Sequence, residues 1–576
     1  MPEIPEPSTG APPLRVEVGP EPADDGLSRE LRGALTRDPL VRMQFPDADL
    51  WLVGTDVLSK EEGADLPFRA ILENLAGSEV VEVDGYLLDP TSLVVTPTSR
   101  PRLPNDEEHA WARDVLRVDT EVAAQLGAGE MTTYRPMPPL VLLETADGTV
   151  DRAVTVGLRE VAADGTVRHR VVAVRTADGQ VMEDLPELPS GDRDCGVPAG
   201  PECSSGGGEA RARVRVLRGE EVLWDLVVVR PSASSGVNGS GVELREVGYQ
   251  RVRVLFRGHV PILNVAYDSS LRSGTQPGAA PECGPTYRDW FNEESCFEAD
   301  GEEPVPGFRL CTSAPTTILE RGQDGGGFRG VALWLDGDEL VIVSQLQAGW
   351  YRYVAEWRLA ADGTIRPRLG FDAVSNSCTC EPHTHHAYWR FDFDVVNADA
   401  NLVQEHNEPT LPGQLSPWHT IRYETHRPRD TSRKRRWRVR STRSPHGYAV
   451  VPGAGDGTAD HYGAGDVWIV AYKGDEVDDG QGFTSDPAES RARIGQFVSG
   501  EMVERADVVL WYGVHVRHAA DEGAPEHRRV GPDLVPYNWR PPQERGPYIP
   551  IAPPPQEGPD DDDEVPPVPP GPSAVQ

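Results

Sequence analysis

The sequence predicts a mainly β protein: a large antiparallel β-sandwich preceded by two small α+β domains. Three observations carry this. From about residue 241 to 539 short alternating apolar and polar runs are broken by turn residues, with almost no helical period. Helical periodicity is confined to short upstream stretches, SRELRGALTRD and ARDVLRVDTEVAAQLG. The triplet Ala-Asp-Gly, beginning at Ala146, Ala163 and Ala177, separates strand-like runs in the manner of tight hairpins.

In chain order, residues 1–26 are rich in Pro, Glu and Gly and read as a disordered leader. Residues 27–130 mix helical and strand periods and form the first small α+β domain. Residues 131–235 form the second, an α+β or meander unit interrupted by the Gly/Ser/Pro-rich loop around Cys195 and Cys203. Residues 236–540 make the sandwich, and the Pro/Asp-rich stretch 541–576 reads as a disordered tail. At 576 residues the chain is too long for a single core.

A formal charge of -36 argues against nucleic acid and anionic membrane as partners, since both would repel the chain. Only Lys60, Lys434 and Lys473 are lysines, so nearly all positive charge is arginine. No apolar run reaches about 18 residues, so no spanning helix is expected. The first residues lack the basic and apolar regions of a signal peptide, which makes the cytoplasm the default location. The seven cysteines include loop clusters at 195/203 and 283/296/311 that can pair, leaving an extracellular or periplasmic location open.

The most informative stretch is Cys378–Val395, CTCEPHTHHAYWRFDFDV. In an extended chain His383 and His385 share one face, two residues apart, as ligands of one metal ion require. Arg390, Asp392 and Asp394 have the opposite parity, so the other face offers carboxylates. Cys378 and Cys380 have spacing compatible with soft ligands, or with a disulfide partner beside a buried thiol. The basic run RKRRWRVR, from Arg433, alternates like a strand whose arginines pair with the acidic surface. There is no phosphate-binding glycine loop of the P-loop or Rossmann type, and no serine nucleophile elbow.

From about 241 to 539 the chain resembles the copper-containing amine oxidases, which use a topaquinone made from one of their own tyrosines. The family's H-x-H followed by R-[LF]-D-x-D is similar to His383-Thr384-His385 and Arg390-Phe391-Asp392-Phe393-Asp394. Its cofactor tyrosine precedes an [ND]-G-T-I turn, as Tyr351 precedes Asp362-Gly363-Thr364-Ile365. Its D-[VI]-V-L-W-Y strand resembles Asp507 to Tyr512, which aligns the third histidine with His518. Val242 to Tyr249, Pro261 to Asp268 and Gly447 to Gly453 look like further family elements in the same order.

The resemblance implies copper on His383, His385 and His518, with Tyr351 as cofactor precursor. It also implies a peripheral calcium-type site of Asp392, Asp394, Asp507 and the carbonyls of Phe393 and Val508, whose hard oxygens suit such a cation. His386 and His515 are assigned to the opposite strand face. The implied reaction takes a primary amine and dioxygen to aldehyde, hydrogen peroxide and ammonia, in a homodimer. Two departures bear on activity. The family's N-Y-[DE] is Trp350-Tyr351-Arg352 here, and aligning Phe291 with the family's base motif puts Asn292 where the catalytic aspartate belongs, with Asp289, Glu293 and Glu294 as nearby acids. A member that keeps copper and scaffold without amine oxidase activity is the alternative, and zinc hydrolysis at three histidines is a third reading.

Overall fold

The computed structural model describes residues 12–21, 31, 33–45, 50–57, 60, 67–74, 80–86, 89–98, 103–118, 122–144, 150–182, 190–191, 194–201, 207–268, 287–459, 465–480, 482, 491–518 and 529–539. The tail 541–576, the turn at Ala146, Cys203 and Cys283 lie outside them. The described chain is mainly β, and two large sheets dominate it. Among the described residues no helix is long and apolar enough to cross a membrane.

The first large sheet has ten strands, with Val252–Tyr267, His383–Phe393, Val508–His518 and Val467–Ala471 as successive neighbours. The second has eleven and is built around Glu339–Ala348, Tyr351–Ala360 and Ile365–Ala373. Pairing is antiparallel throughout both sheets except between Phe308–Leu310 and Val331–Asp336. The inner faces share one core that includes Trp224, Tyr249, Trp357, Phe391 and Trp437. Their polar handles are satisfied across the gap. Trp224 Nε1 donates to the Ala360 carbonyl, Trp357 Nε1 to that of Val242, and the Tyr249 hydroxyl to that of Ala361, each at 2.9 Å.

Two smaller sheets lie upstream. Four strands from Leu50–Val57 to Asp89–Thr98 form a meander with its own core of Phe68, Leu72, Val81 and Val83. The second small sheet, centred on Val150–Val161 and Val167–Arg175, packs against the helix Asp106–Val118 through Ala112, Leu116, Val154 and Val172. Two of the Ala-Asp-Gly turns are described here. At Ala163 the Asp164 carboxylate accepts the Thr166 amide at 2.9 Å and Gly165 takes φ 86°. At Ala177, Gly179 takes φ 72°.

The structure corrects three expected boundaries. Leu14–Pro20, read as disordered leader, is a strand paired with Arg211–Arg218 at the edge of the ten-stranded sheet. Its LRVEV alternation outweighs the surrounding composition. The helix Asp106–Val118, assigned to the first small domain, packs on the second small sheet because Ala112 and Leu116 fall on one helical face. Strands Arg211–Arg218 and Glu221–Val229, assigned to the second domain, belong to the large sheet.

Candidate functional site

Every residue of the His383–Phe393 strand is buried, so its two faces are two distinct interior environments. The ladder aligns Tyr267 with His383 and His383 with His518, which brings the third predicted histidine beside the first. His518 Nδ1 lies 3.1 Å from His383 Nε2, and the His383 and His385 ring centres are 4.9 Å apart. His386 and His515 meet on the opposite face, Nδ1 to Nδ1 at 2.8 Å.

Tyr351 opens the strand of the facing sheet and is fully buried. Its hydroxyl meets His383 Nε2, and its ring lies edge-on to His385 at 4.7 Å between centres. The tyrosine and the three histidines therefore form one cluster between the sheets, and Phe371 lies against His385 at 3.8 Å. Phe371 and His518 are only partly buried, which puts the solvent approach at their end.

Hydrogen bonds fix which imidazole nitrogens are available. His383 Nδ1 meets the Glu381 carbonyl at 2.5 Å; a carbonyl only accepts, so Nδ1 carries the proton and Nε2 keeps its lone pair. The Tyr353 hydroxyl donates to Asp289 Oδ2 at 2.5 Å, so His385 Nδ1, 3.0 Å from the Tyr353 hydroxyl oxygen, donates to that hydroxyl. His385 Nε2 is thereby left with a lone pair, and it is buried without a hydrogen-bond partner. Burial, then the neighbouring imidazoles, pushes His383 down to about 3 and His385 well below the ordinary histidine range. Neutral imidazoles with oriented second nitrogens are the form that binds copper(II), zinc or nickel. The donor type suits copper as it does zinc or nickel, while the three described ligand atoms that lie within 4.8 Å of one another are those of Asp392, Asp394 and Asp507.

Both departures beside Tyr351 have structural uses. Trp350 Nε1 donates to the Tyr267 hydroxyl at 3.2 Å, and the Tyr267 ring lies 4.8 Å from that of His383. The Arg352 guanidinium turns away from the tyrosine ring and grips both carboxylate oxygens of Asp324 at 2.8 Å. Asn292 packs beside Gly239, whereas Asp289 is buried and reaches Tyr353. Glu293 is taken up by Arg135 and Trp290, and Glu294 by Arg230 and Ser232. Burial raises the Asp289 carboxyl to about 7 despite the Tyr353 hydrogen bond, and burial with the adjacent carboxylate raises the Tyr353 hydroxyl. Asp289 was among the acids visible in sequence; the path of its loop, which sequence does not give, is what buries it against Tyr353.

The remaining predictions concern cations and cysteines. Asp392, Asp394 and Asp507 are brought together, with ligand oxygens all within 4.8 Å of one another. The Lys60 ammonium stands among them, however, and the Phe393 carbonyl accepts from Asn401 Nδ2 at 3.3 Å. The calcium-type arrangement therefore does not fit as built. Cys195 pairs with Cys380, not with Cys203, and Cys378 is a buried thiol. The basic run forms the strand Arg436–Ser441, with Arg435 paired to Glu405 at 3.3 Å.

Fold and site together define a mainly β protein with two large sheets and a buried tyrosine against a cluster of three histidines. No family model and no curated protein matches the chain. Among solved structures it is similar to a copper-containing benzylamine oxidase from Hansenula polymorpha, with 10% identity, TM-score 0.48, and 91% of this chain and 93% of that one covered. An amine oxidase from Aspergillus nidulans matches at 13% identity and TM-score 0.46, covering 94% and 90% of the two chains. A lysyl oxidase from Pichia pastoris matches at 13% and 0.45, covering 88% and 89%.

Proposed function

We propose that the chain is an oxidoreductase of copper amine oxidase type, converting a primary amine and dioxygen to aldehyde, hydrogen peroxide and ammonia. The observation that supports this most is the Tyr351 hydroxyl meeting His383 Nε2 where His518 Nδ1 also arrives. His383 Nε2, His385 Nε2 and His518 Nδ1 would hold copper. Copper bound there would supply the redox chemistry with dioxygen that turns the Tyr351 phenol into a quinone. Asp289 is the proton acceptor in this reading, because a carboxyl near 7 exchanges its proton at neutral pH. Tyr353 orients that carboxyl and His385 through one hydroxyl. The aromatic walls of Tyr353 and Phe371 exclude water from Tyr351, which is fully buried. Homodimerisation follows from the sequence resemblance.

That same complete burial, with Trp350 and Arg352 beside the tyrosine, favours a second reading: a copper-bearing scaffold without amine turnover. One preparation separates them. Protein loaded with copper(II) in air is treated with phenylhydrazine while the visible spectrum is followed, and peroxide release is measured over a panel of primary amines. An adduct band with peroxide release supports the oxidase. Stoichiometric copper with neither supports the scaffold, and zinc uptake with copper excluded supports hydrolysis.

A further inference from the structure

Lys60 follows the strand Leu50–Val57 of the first small sheet and reaches the face of the His383–Phe393 strand opposite the histidines. Its Nζ lies 2.5 Å from Asp392 Oδ1, 2.9 Å from Asp394 Oδ1 and 2.8 Å from Asp507 Oδ1. An ammonium has three protons to donate, and each meets a separate carboxylate. The faces of Tyr472 and Phe256 cover the same nitrogen at 4.3 and 5.0 Å. The Lys60 side chain is 10% exposed and that of Asp392 fully buried, so neither charge has water to stabilise it in place of the other. Arg390 lies 3.4 Å from Asp392 and 2.7 Å from Glu476, and Arg253 lies 3.9 Å from Asp394. Three cations thus face four carboxylates, leaving little deficit for a further divalent ion.

We propose that Lys60 is the resident cation of the Asp392, Asp394 and Asp507 triad, an internal ligand that takes the place of a divalent ion and fastens the first small sheet to the back of the histidine strand. A calcium ion needs six to eight oxygens at about 2.3–2.6 Å, a volume that the ammonium nitrogen already occupies. Residue choice agrees with this. The chain uses arginine nearly everywhere, with only three lysines, yet at this point has a compact ammonium whose three protons diverge from a single nitrogen placed at the centre of the three carboxylates. The proposal does not depend on the oxidase reading, since it concerns the other face of the strand.

The test is amine acylation of the intact protein, read at each lysine by mass spectrometry, with and without millimolar calcium. Lys434, with a 69% exposed side chain, is the internal reference. Lys60 is expected to react at least about tenfold more slowly than Lys434, reporting only on local opening, and calcium should leave that rate unchanged. Faster Lys60 labelling on adding calcium would overturn the proposal, because the ion would be displacing the ammonium. In parallel, terbium luminescence should find no site in the wild type that Asp392→Asn abolishes; Lys60→Met should create one, and Lys60→Met with Asp392→Asn should remove it. A wild-type terbium site lost on Asp392→Asn would refute the assignment. The labelling arm needs no variant, so the test survives a failure of Lys60→Met to fold.

Discussion

The Tyr353 hydroxyl donates to Asp289 Oδ2 at 2.5 Å while standing 3.0 Å from His385 Nδ1, so one phenol couples a buried acid to a candidate metal ligand. Replacing Tyr353 by Phe leaves the ring and removes the coupling. His385 then loses the acceptor that fixes its tautomer, and copper affinity should fall by about 10–100-fold. Competition with a chelator of known affinity measures this. Unchanged affinity would mean that Tyr353 only packs.

The Asp289 carboxyl, raised to about 7 by burial, gives stability a definite pH dependence. Below about 4 both folded and unfolded chains hold its proton, so it contributes no difference. Between about 4 and 7 the unfolded chain has released the proton and the folded chain keeps it, so stability falls as pH rises, by on the order of a few kcal/mol in all. Asp289→Asn should remove that slope in urea titrations at pH 5 and 8. Under the oxidase reading it should also reduce amine turnover by about 10²–10⁴-fold.

His383→Ala removes the nitrogen shared by Tyr351 and His518. Copper content should drop from one per chain to near zero while the circular dichroism of the β-sheets persists. Full metal retention in that variant would exclude the three-histidine centre.

Arg352 and Asp324 form a buried ion pair, with side chains 8% and 7% exposed. Arg352→Ala strands the Asp324 charge and should cost about 3–5 kcal/mol of unfolding free energy. Arg352→Met combined with Asp324→Leu should recover most of it. Recovery of stability without change in copper binding would confirm that the cation beside Tyr351 serves packing and does not tune the phenol.

Much of the histidine cluster was legible because a strand has period two and a ladder has a register. Those rules put His383 and His385 on one face, and His386, Asp392 and Asp394 on the other. The hairpins at Ala163 and Ala177 were legible from turn chemistry that acts over four residues. What local pattern cannot reach depends on distant chain. Lys60 meets Asp392 across 332 residues, and nothing about a lysine after VLS marks such a partner. Asp289 differs from Glu293 and Glu294 only in where a loop turns. The Leu14–Pro20 strand was hidden because its partner, Arg211–Arg218, lies nearly two hundred residues on, while its neighbours resemble a linker.

The cross-strand match of His383 with His518 also sets a clock. The two residues are 135 apart, and the strand Val508–His518 is among the last described elements of the chain. During synthesis the tyrosine and the first two histidines emerge well before the third, and contacts of such long range form late in folding. Any chemistry that matures Tyr351 therefore waits for a nearly finished polypeptide. A ribosome-bound or truncated chain ending before Val508 has Tyr351, His383 and His385 but lacks His518, so under the oxidase reading the centre is completed only by the order of the strands.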